Sequence, residues 1–574
     1  MKKILTVLLA IALCFSAVAC GGSDGDKGNR TVITVTNYNG GVGTEWLNQA
    51  AARFMDEYAD KSYEEGKVGV YVDIEGTQEN RLGGIKTSGY NIFFFERHYD
   101  VRTLAQAGSL LDITDVLTDS SSADGSIESR IDESYRSLLK GADGKYYGLP
   151  HVTYSPGVSY DKDLFDKYNL YIAAPEETNV ENFSRFGGLR LIKNSQGKKS
   201  CGLDGVYGTD DDGLPTTLQE LVALCAKMKQ YSIKPFTWTG MYDDYPNLLN
   251  VALWASLAGY EQMRANYEFE GEIEIIDGYT NENLIEGISY IKKPVTKKVN
   301  LTAETGYLVY QEAARYYATA MQEIIYREGF YSSDCTTGTV SHVDAQGNFI
   351  FSGENNNEEI AFLVDGSYWY NEAEEKGNHL SDWQRLPQNR DKVRNIRWMG
   401  LPASVNAPVT ENNGVKATFI DCGASYCVVN GNIKDKTAVV EACKDFLKFL
   451  YSENELNEFS KATGLKKALV NYTVKEDAKS GLSEFYKSAI NSIEGGKLVY
   501  QIADNPTCIK NSLSLLNLSY QTPIYRFTMD GKAYINYFTA FEETNGAATT
   551  TTERLLGITN VTRDAWLSQY YVAE

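Results

Sequence analysis

Side chains able to bind or transform a polar ligand gather at the ends of apolar, strand-like runs in this sequence. Tyr38 and Asn39 follow TVITVTN (31–37), and Glu96 and His98 follow YNIFFF (90–95). Tyr154 lies in the extended stretch after GLP (148–150). Trp238, Tyr242 and Asp243 sit in FTWTGMYDDYP (236–246), and Asp365, Tyr368 and Trp369 close IAFLVDGSYW (360–369). Flat rings mixed with carboxylates and amides suit a ligand with C–H patches on its faces and hydroxyls around its rim, such as a sugar. Each residue also has a plainer reading. Tyr38 and Asn39 can build a turn, Glu96 can cap a helix, and His98 can be a satisfied structural histidine. Tyr154 can be hinge packing, Trp238 and Tyr242 core, Asp243 solvated, and Asp365 the start of a turn at Gly366. Neighbours on a strand point to opposite sides, so one of Tyr368 and Trp369 is expected in a cleft and the other in the core.

A second constellation is LDGVYGTDDDG (203–213), with Asp204, Asp210, Asp211 and Asp212 on a glycine-rich loop. Clustered carboxylates suit a hard cation such as Ca²⁺, although the spacing departs from the EF-hand template and a solvated turn satisfies the same residues. A structural calcium is the one cofactor the sequence suggests. GGVG (40–43) lacks the spacing of a dinucleotide or P-loop cradle. No H-E-x-x-H or C-x-x-C occurs, and four histidines leave little for a multi-histidine metal centre. Nine cysteines, widely spread, make no dense disulfide framework. Cys225 and Cys443 fall in helix-like patterns as buried thiols, and the pairing of Cys422 with Cys427 stays open.

These residues need elements to hold them. TVITVTN reads as a strand. Leu47, Ala50, Ala51, Phe54 and Tyr58 then recur at helical spacing, Val68, Val70, Val72 and Ile74 alternate as a second strand, and YNIFFFE is a third. Leu104 to Leu110 reads as a crossover helix. Strands alternating with helices imply a parallel sheet covered on both faces, with ligands beyond the carboxyl ends of its strands. The 574 residues are enough for two or more domains. A formal charge of −21 disfavours nucleic acid and anionic membrane surfaces. At the start, Lys2 and Lys3 precede an apolar run, residues 4–19, too short to span a bilayer comfortably. Together they read as a secretory signal peptide over 1–19. GGSDGDKGNR then reads as a flexible tether, with Cys20 included over 20–30.

GADGKYYGLPHVTYSPGVSYDKDLFDKYNL (141–170) resembles the D-G-K-x-Y-G-L-P and Y-N-K-D-L-F pattern of extracellular solute-binding proteins related to maltose-binding protein. Other stretches match the same family in the same order. They are TSGYNIFFFERHYD…LAQAGSLLDITDVL (87–117), LPTTLQELVALCAKMK (214–229), IAFLVDGSYWYNEA (360–373) and AVVEACKDFLKFLYSENELNEFSKATG (438–464). The resemblance implies an α/β fold of the periplasmic-binding-protein-like type II class, with two discontinuous lobes around a hinge and a ligand cleft. The expected first lobe is 31–153 and 400–460, and the second, enlarged, is 154–399 and 461–574. Crossings are expected near 150–160 and 396–404. The family places an acidic and aromatic contact at 236–246 and an aromatic platform at DGSYW. Ala17-Val18-Ala19-Cys20 resembles a lipobox, with Cys20 lipidated. The family implies a monomeric binding protein, lipid-anchored on the outer face of the bacterial cell membrane, that passes a sugar or oligosaccharide to the permease of an ABC transporter. Two alternatives stay open: an extracellular lipoprotein glycoside hydrolase using two carboxylates, and the same fold holding a non-sugar ligand such as a peptide. About forty residues (171–213) interrupt the family pattern, and nothing after about 470 aligns with it.

Overall fold

A computed structural model of the chain describes residues 27–38, 41–77, 84–95, 101–421, 425–468, 470–500, 527–569 and 571. Asn39, Glu96, His98, Cys20, Cys422, the signal segment and most of the tether lie outside the described residues.

The chain opens as a parallel unit. β1 (Thr31–Tyr38) leads into the helix Glu45–Glu57, which buries Trp46, Leu47, Ala50, Ala51 and Phe54 on one face. β2 (Val70–Thr77) and β3 (Ile92–Phe95) pair with β1 on either side, both parallel to it. The wholly apolar IFFF of β3 fits its central place, since strands covered on both faces read as continuous apolar runs. The expected helix at 104–110 lies earlier, at Val101–Gln106, and Gly108 with φ 62° ends its run. β4 (Leu149–Pro150) completes this sheet at one edge.

Residues 151–155 cross to a second sheet, begun by β5 (Pro156–Asp161). Asp161 caps the helix Lys162–Tyr168 by accepting from the Leu164 N–H at 3.0 Å. The stretch 171–213 folds as β6 (Val180–Phe183) and β7 (Leu189–Ile192), an antiparallel hairpin whose Phe183, Leu189, Leu191 and Ile192 enter the second core. Thr217 and Glu220 form a capping box ahead of the helix Leu218–Gln230. Next come β8 (Lys234–Thr237), the helix Tyr245–Glu268 kinked at Gly259, and the long hairpin of β9 (Gly271–Asn283) and β10 (Lys292–Leu301). β11 (Ile360–Gly366) lies parallel to β8 and antiparallel to β5, and β12 (Ile396–Met399) pairs with β5.

β12 therefore corrects the expectation that 396–404 returns to the first lobe. Met399, Leu401 and Ile420 belong to the second core, through β13 (Thr418–Asp421). The return falls between β13 and β14 (Tyr426–Val429), and β14 pairs antiparallel with β3 and β4. The helices Thr437–Leu450 and Glu453–Thr463 then cover the first sheet, and Leu465, Ala468 and Val470 still belong to its core. A third crossing leads to the helix Glu484–Gly495 and β15 (Lys497–Tyr500), which lies parallel to β13. The end of the chain, with β16 (Phe527–Met529), β17 (Lys532–Tyr534) and three short helices, plants Phe538, Phe541, Leu555 and Trp566 in the second core. No described helix is long and apolar enough to cross a membrane.

Candidate functional site

The carboxyl ends of β1 and of β11 open on one region, with the crossing 151–155 between them. Beyond β11, the Ser367 N–H donates to the Ser155 carbonyl at 2.8 Å, and the Ser155 N–H reaches Ser367 Oγ at 3.3 Å. These bonds stitch the D-G-S turn to the crossing. The Ser155 hydroxyl donates to the Ile420 carbonyl, and Asp421 Oδ2 accepts from the Tyr154 N–H at 2.9 Å, so both early crossings are tied together. On this frame the Tyr154 ring meets Tyr368 edge-on, centroids 4.9 Å apart. Tyr368 is half-buried and directly precedes the helix Trp369–Gly377.

Behind Tyr368 lies a polar cluster. Gln346 Nε2 donates to Asp365 Oδ2 at 3.0 Å and to Glu372 Oε2 at 3.2 Å, while the Gly366 N–H holds Asp365 Oδ1 at 2.7 Å. Glu372 also accepts from Lys376 at 2.5 Å and faces His342 Nε2 at 3.3 Å. Burial, then the Glu372 charge, pushes the Asp365 carboxyl above its ordinary value, against the opposing hydrogen bonds. Burial acts on Glu372 in the same sense, but His342 and Lys376 outweigh it and hold that carboxyl low. One acid thus favours its neutral form and its neighbour stays charged. In front, His342 lies 5.5 Å from the Tyr242 ring, tilted by 53°, and 6.4 Å from Tyr245, inclined by 29°, forming a shelf of three neighbouring rings.

The first lobe faces this shelf. Asn37 Nδ2 donates to the carbonyls of Tyr38 at 2.8 Å and Gly43 at 2.7 Å, closing the loop after β1. Gly43 has φ +67°, which favours glycine, and a Cβ there would lie 3.2 Å from Glu375 Oε1, so the two lobes approach closely at this point. Asn371 Nδ2 donates across to the Thr463 carbonyl at 2.9 Å. Tyr38 lies within electrostatic reach of Lys376.

The structure brings together Tyr38, Tyr154, Tyr242, Asp365 and Tyr368, with Asp365 at 1% and Tyr154 at 7% exposure as buried supports, Tyr154 as part of the first core behind the half-buried Tyr368. Trp238 corrects the expectation of a ligand contact. It is 1% exposed and edge-on to Phe538 at 4.8 Å, because the C-terminal helices cover this side of β8. Trp369 is likewise core, fully buried with its indole N–H on Ser159 Oγ at 2.9 Å. It opens a helix and does not continue the strand, so its separation from Tyr368 follows helical geometry instead of strand alternation. Asp243 is exposed in its turn, where its carbonyl accepts from Asn536 at 2.6 Å.

The expected cation loop is also corrected. Asp211 Oδ2 accepts from the N–H groups of Leu203 and Asp204, Asp212 from Gly208, and Asp204 from Val206, while Asp210 pairs with Arg397. Asp204, Asp211 and Asp212 serve their own turns, with Asp211 and Asp212 sharing the Thr209 hydroxyl, and no metal-holding group of acids, histidines or cysteines occurs among the described residues. Cys225, Cys427 and Cys443 are buried free thiols.

Sequence reading missed Tyr245, His342, Gln346, Glu372 and Lys376. The i,i+4 pairs His342/Gln346 and Glu372/Lys376 were visible as spacing, but only the packing of helix His342–Ile350 on helix Trp369–Gly377 turns them into one cluster.

A family model described as bacterial extracellular solute-binding protein matches residues 58–481. Among solved structures, a chitin oligosaccharide binding protein shares the fold with a TM-score of 0.51 at 14% identity, covering 94% of this chain and 100% of the other. A protein of xylan utilization in the thermophilic bacterium Caldanaerobius polysaccharolyticus gives 0.49 at 14% identity, covering 92% and 99%. No protein of curated function matches the sequence.

Proposed function

Because the chain belongs to the bacterial extracellular solute-binding proteins, we propose that it captures a sugar or oligosaccharide between its lobes and presents it to the permease of an ABC-type importer. The observation that carries this reading is the meeting of Tyr154 and Tyr368, beside the Tyr242–Tyr245–His342 shelf, at the carboxyl ends of strands from both sheets. Ring faces take the C–H surface of a sugar, and Tyr38, His342 and Lys376 offer partners for its hydroxyls. The solved relative above carries a chitin-oligosaccharide name, which accords with a glycan ligand. Lobe closure about the crossings at 151–155 and 471–483 buries the ligand and creates the form a permease recognises. Acylation of Cys20 anchors the protein on the outer face of the membrane, where it acts as a monomer.

The reading is binding without catalysis. Asp365 and Glu372 have the split protonation that an acid–base pair needs, but both are buried and their oxygens are occupied by Gln346, Gly366, His342 and Lys376. That leaves no room for a glycosidic bond between them. A thermal-shift screen of the protein against a glycan panel tests the proposal. A matching glycan raises the melting temperature in proportion to saturation, the rise is lost in Tyr368→Ala, and no product accumulates. A panel without any shift, or with turnover, sinks it.

A further inference from the structure

The crossing 151–155 is extended, so successive side chains leave it on opposite faces. Tyr154 turns to Tyr368. Thr153 instead lines a separate groove of about 550 Å³, walled by Tyr135 and Tyr472 of the first lobe and by Tyr260, Lys497 and Tyr500 from the second. None of Tyr38, Asp365 or Tyr368 borders it. We propose that this hinge-side groove is a second ligand site, for a single hydroxylated ring carrying one carboxylate.

Its chemistry is built in. Tyr135 is 6% exposed, and its hydroxyl has no hydrogen-bond partner among the described residues. A buried phenol left in that state is costly, and a ligand hydroxyl would satisfy it. The Tyr135 ring stands edge-on to Tyr500 at 4.8 Å, and Tyr260 and Tyr500, both only half-buried, offer ring surface to the groove. The Lys497 ammonium lies 5.3 Å over the Tyr260 ring and has no carboxylate partner among the described residues. Lys466, by contrast, is engaged by Glu494 at 3.1 Å and the Tyr472 carbonyl at 2.5 Å, and Glu494 is further neutralised by Lys479 at 3.0 Å. Asp132, the other acid of the wall, is exposed at the rim. Lys497 therefore supplies the charge for a ligand carboxylate, the tyrosines supply stacking, and the volume suits one ring. Because both lobes contribute walls, a ring bound here holds their angle from behind the crossings. Linkage then changes the affinity of the cleft in front by the same factor that the cleft ligand changes affinity here.

Saturation-transfer NMR on the purified protein tests this, with glucuronate as the probe and methyl glucoside as the neutral comparator. Glucuronate should give a saturable signal. Tyr135→Phe and Lys497→Ala should each weaken it tenfold or more with unchanged near-UV circular dichroism, and Tyr368→Ala should leave it intact. No saturable glucuronate signal, a signal that survives both groove variants, or one lost in Tyr368→Ala overturns the second site. Methyl glucoside bound as tightly as glucuronate overturns the carboxylate assignment. The cleft reading stands or falls separately, on glycan binding and its loss in Tyr368→Ala.

Discussion

Lys467 shows how much of this protein's chemistry is set by what surrounds one atom. Its ammonium is buried over the rings of Trp46 at 4.2 Å and Phe459 at 4.1 Å, with His151 Nδ1 at 3.4 Å. Burial pushes the Lys467 amine down to about 7. An unfolded chain holds that proton up to about pH 10.4, so between about 7 and 10.4 the unfolded state binds more protons and stability rises with pH. Lys467→Met should stabilise the fold by roughly 1–3 kcal/mol near pH 6, with the gain shrinking toward pH 10. Urea denaturation at the two pH values checks it, and a gain that grows with pH contradicts the burial argument. At Tyr368 the expectation concerns ligand and not stability. Tyr368→Ala should weaken glycan binding about 10- to 100-fold, roughly 1.4–2.8 kcal/mol, while Tyr368→Phe stays within about threefold, as calorimetric titration would read. Single residues were the least legible level of the sequence. Trp238 and Trp369 have the right type and the right neighbours for a stacking platform, yet both are core, because hydrophobic type alone does not say which face of an element another segment will cover.

Elements were far more legible. The β1 and β2 patterns and the Leu47–Phe54 spacing are local signals, and each became the element it specified. The stretch 171–213 was unreadable because its turns are held from a distance. Gly205 has φ +70°, and a Cβ on Gly414 would fall 1.8 Å from the Asp204 carbonyl oxygen. The loops 203–213 and 409–417 are thus in backbone contact, reinforced by the Val415 N–H donating to the Leu203 carbonyl at 2.7 Å. Gly414→Ala should separate them and destabilise the protein by about 2 kcal/mol or more, seen as a lowered melting temperature, whereas Gly208→Ala, with open space around its Cβ, carries only the φ penalty of about 1 kcal/mol. Equal losses at the two positions would refute the contact.

Among the described residues, the two largest cores are joined by three crossings, and the second core is completed by residues 527–571. A chain ending at 526 would expose Trp238, Phe269 and the helix Ala313–Glu328, which Phe538, Phe541 and Trp566 cover. It should lose cooperative unfolding in the second lobe and bind a hydrophobic dye; a truncated protein with the full-length transition would show the segment to be dispensable. The sequence by itself determined the type of fold and the order of its parts, because helix periodicity, strand alternation and caps are read within a few residues, and the motif order from 87 to 464 resembles one family. It determined also that tyrosine and carboxylate residues gather at strand ends. Tertiary structure alone decided where the chain returns to the first lobe, that Trp238 and Trp369 are core, and that His342, Gln346, Glu372 and Lys376 form one cluster. Those outcomes depend on contacts between segments tens to hundreds of residues apart, and such contacts leave no periodic trace in either segment.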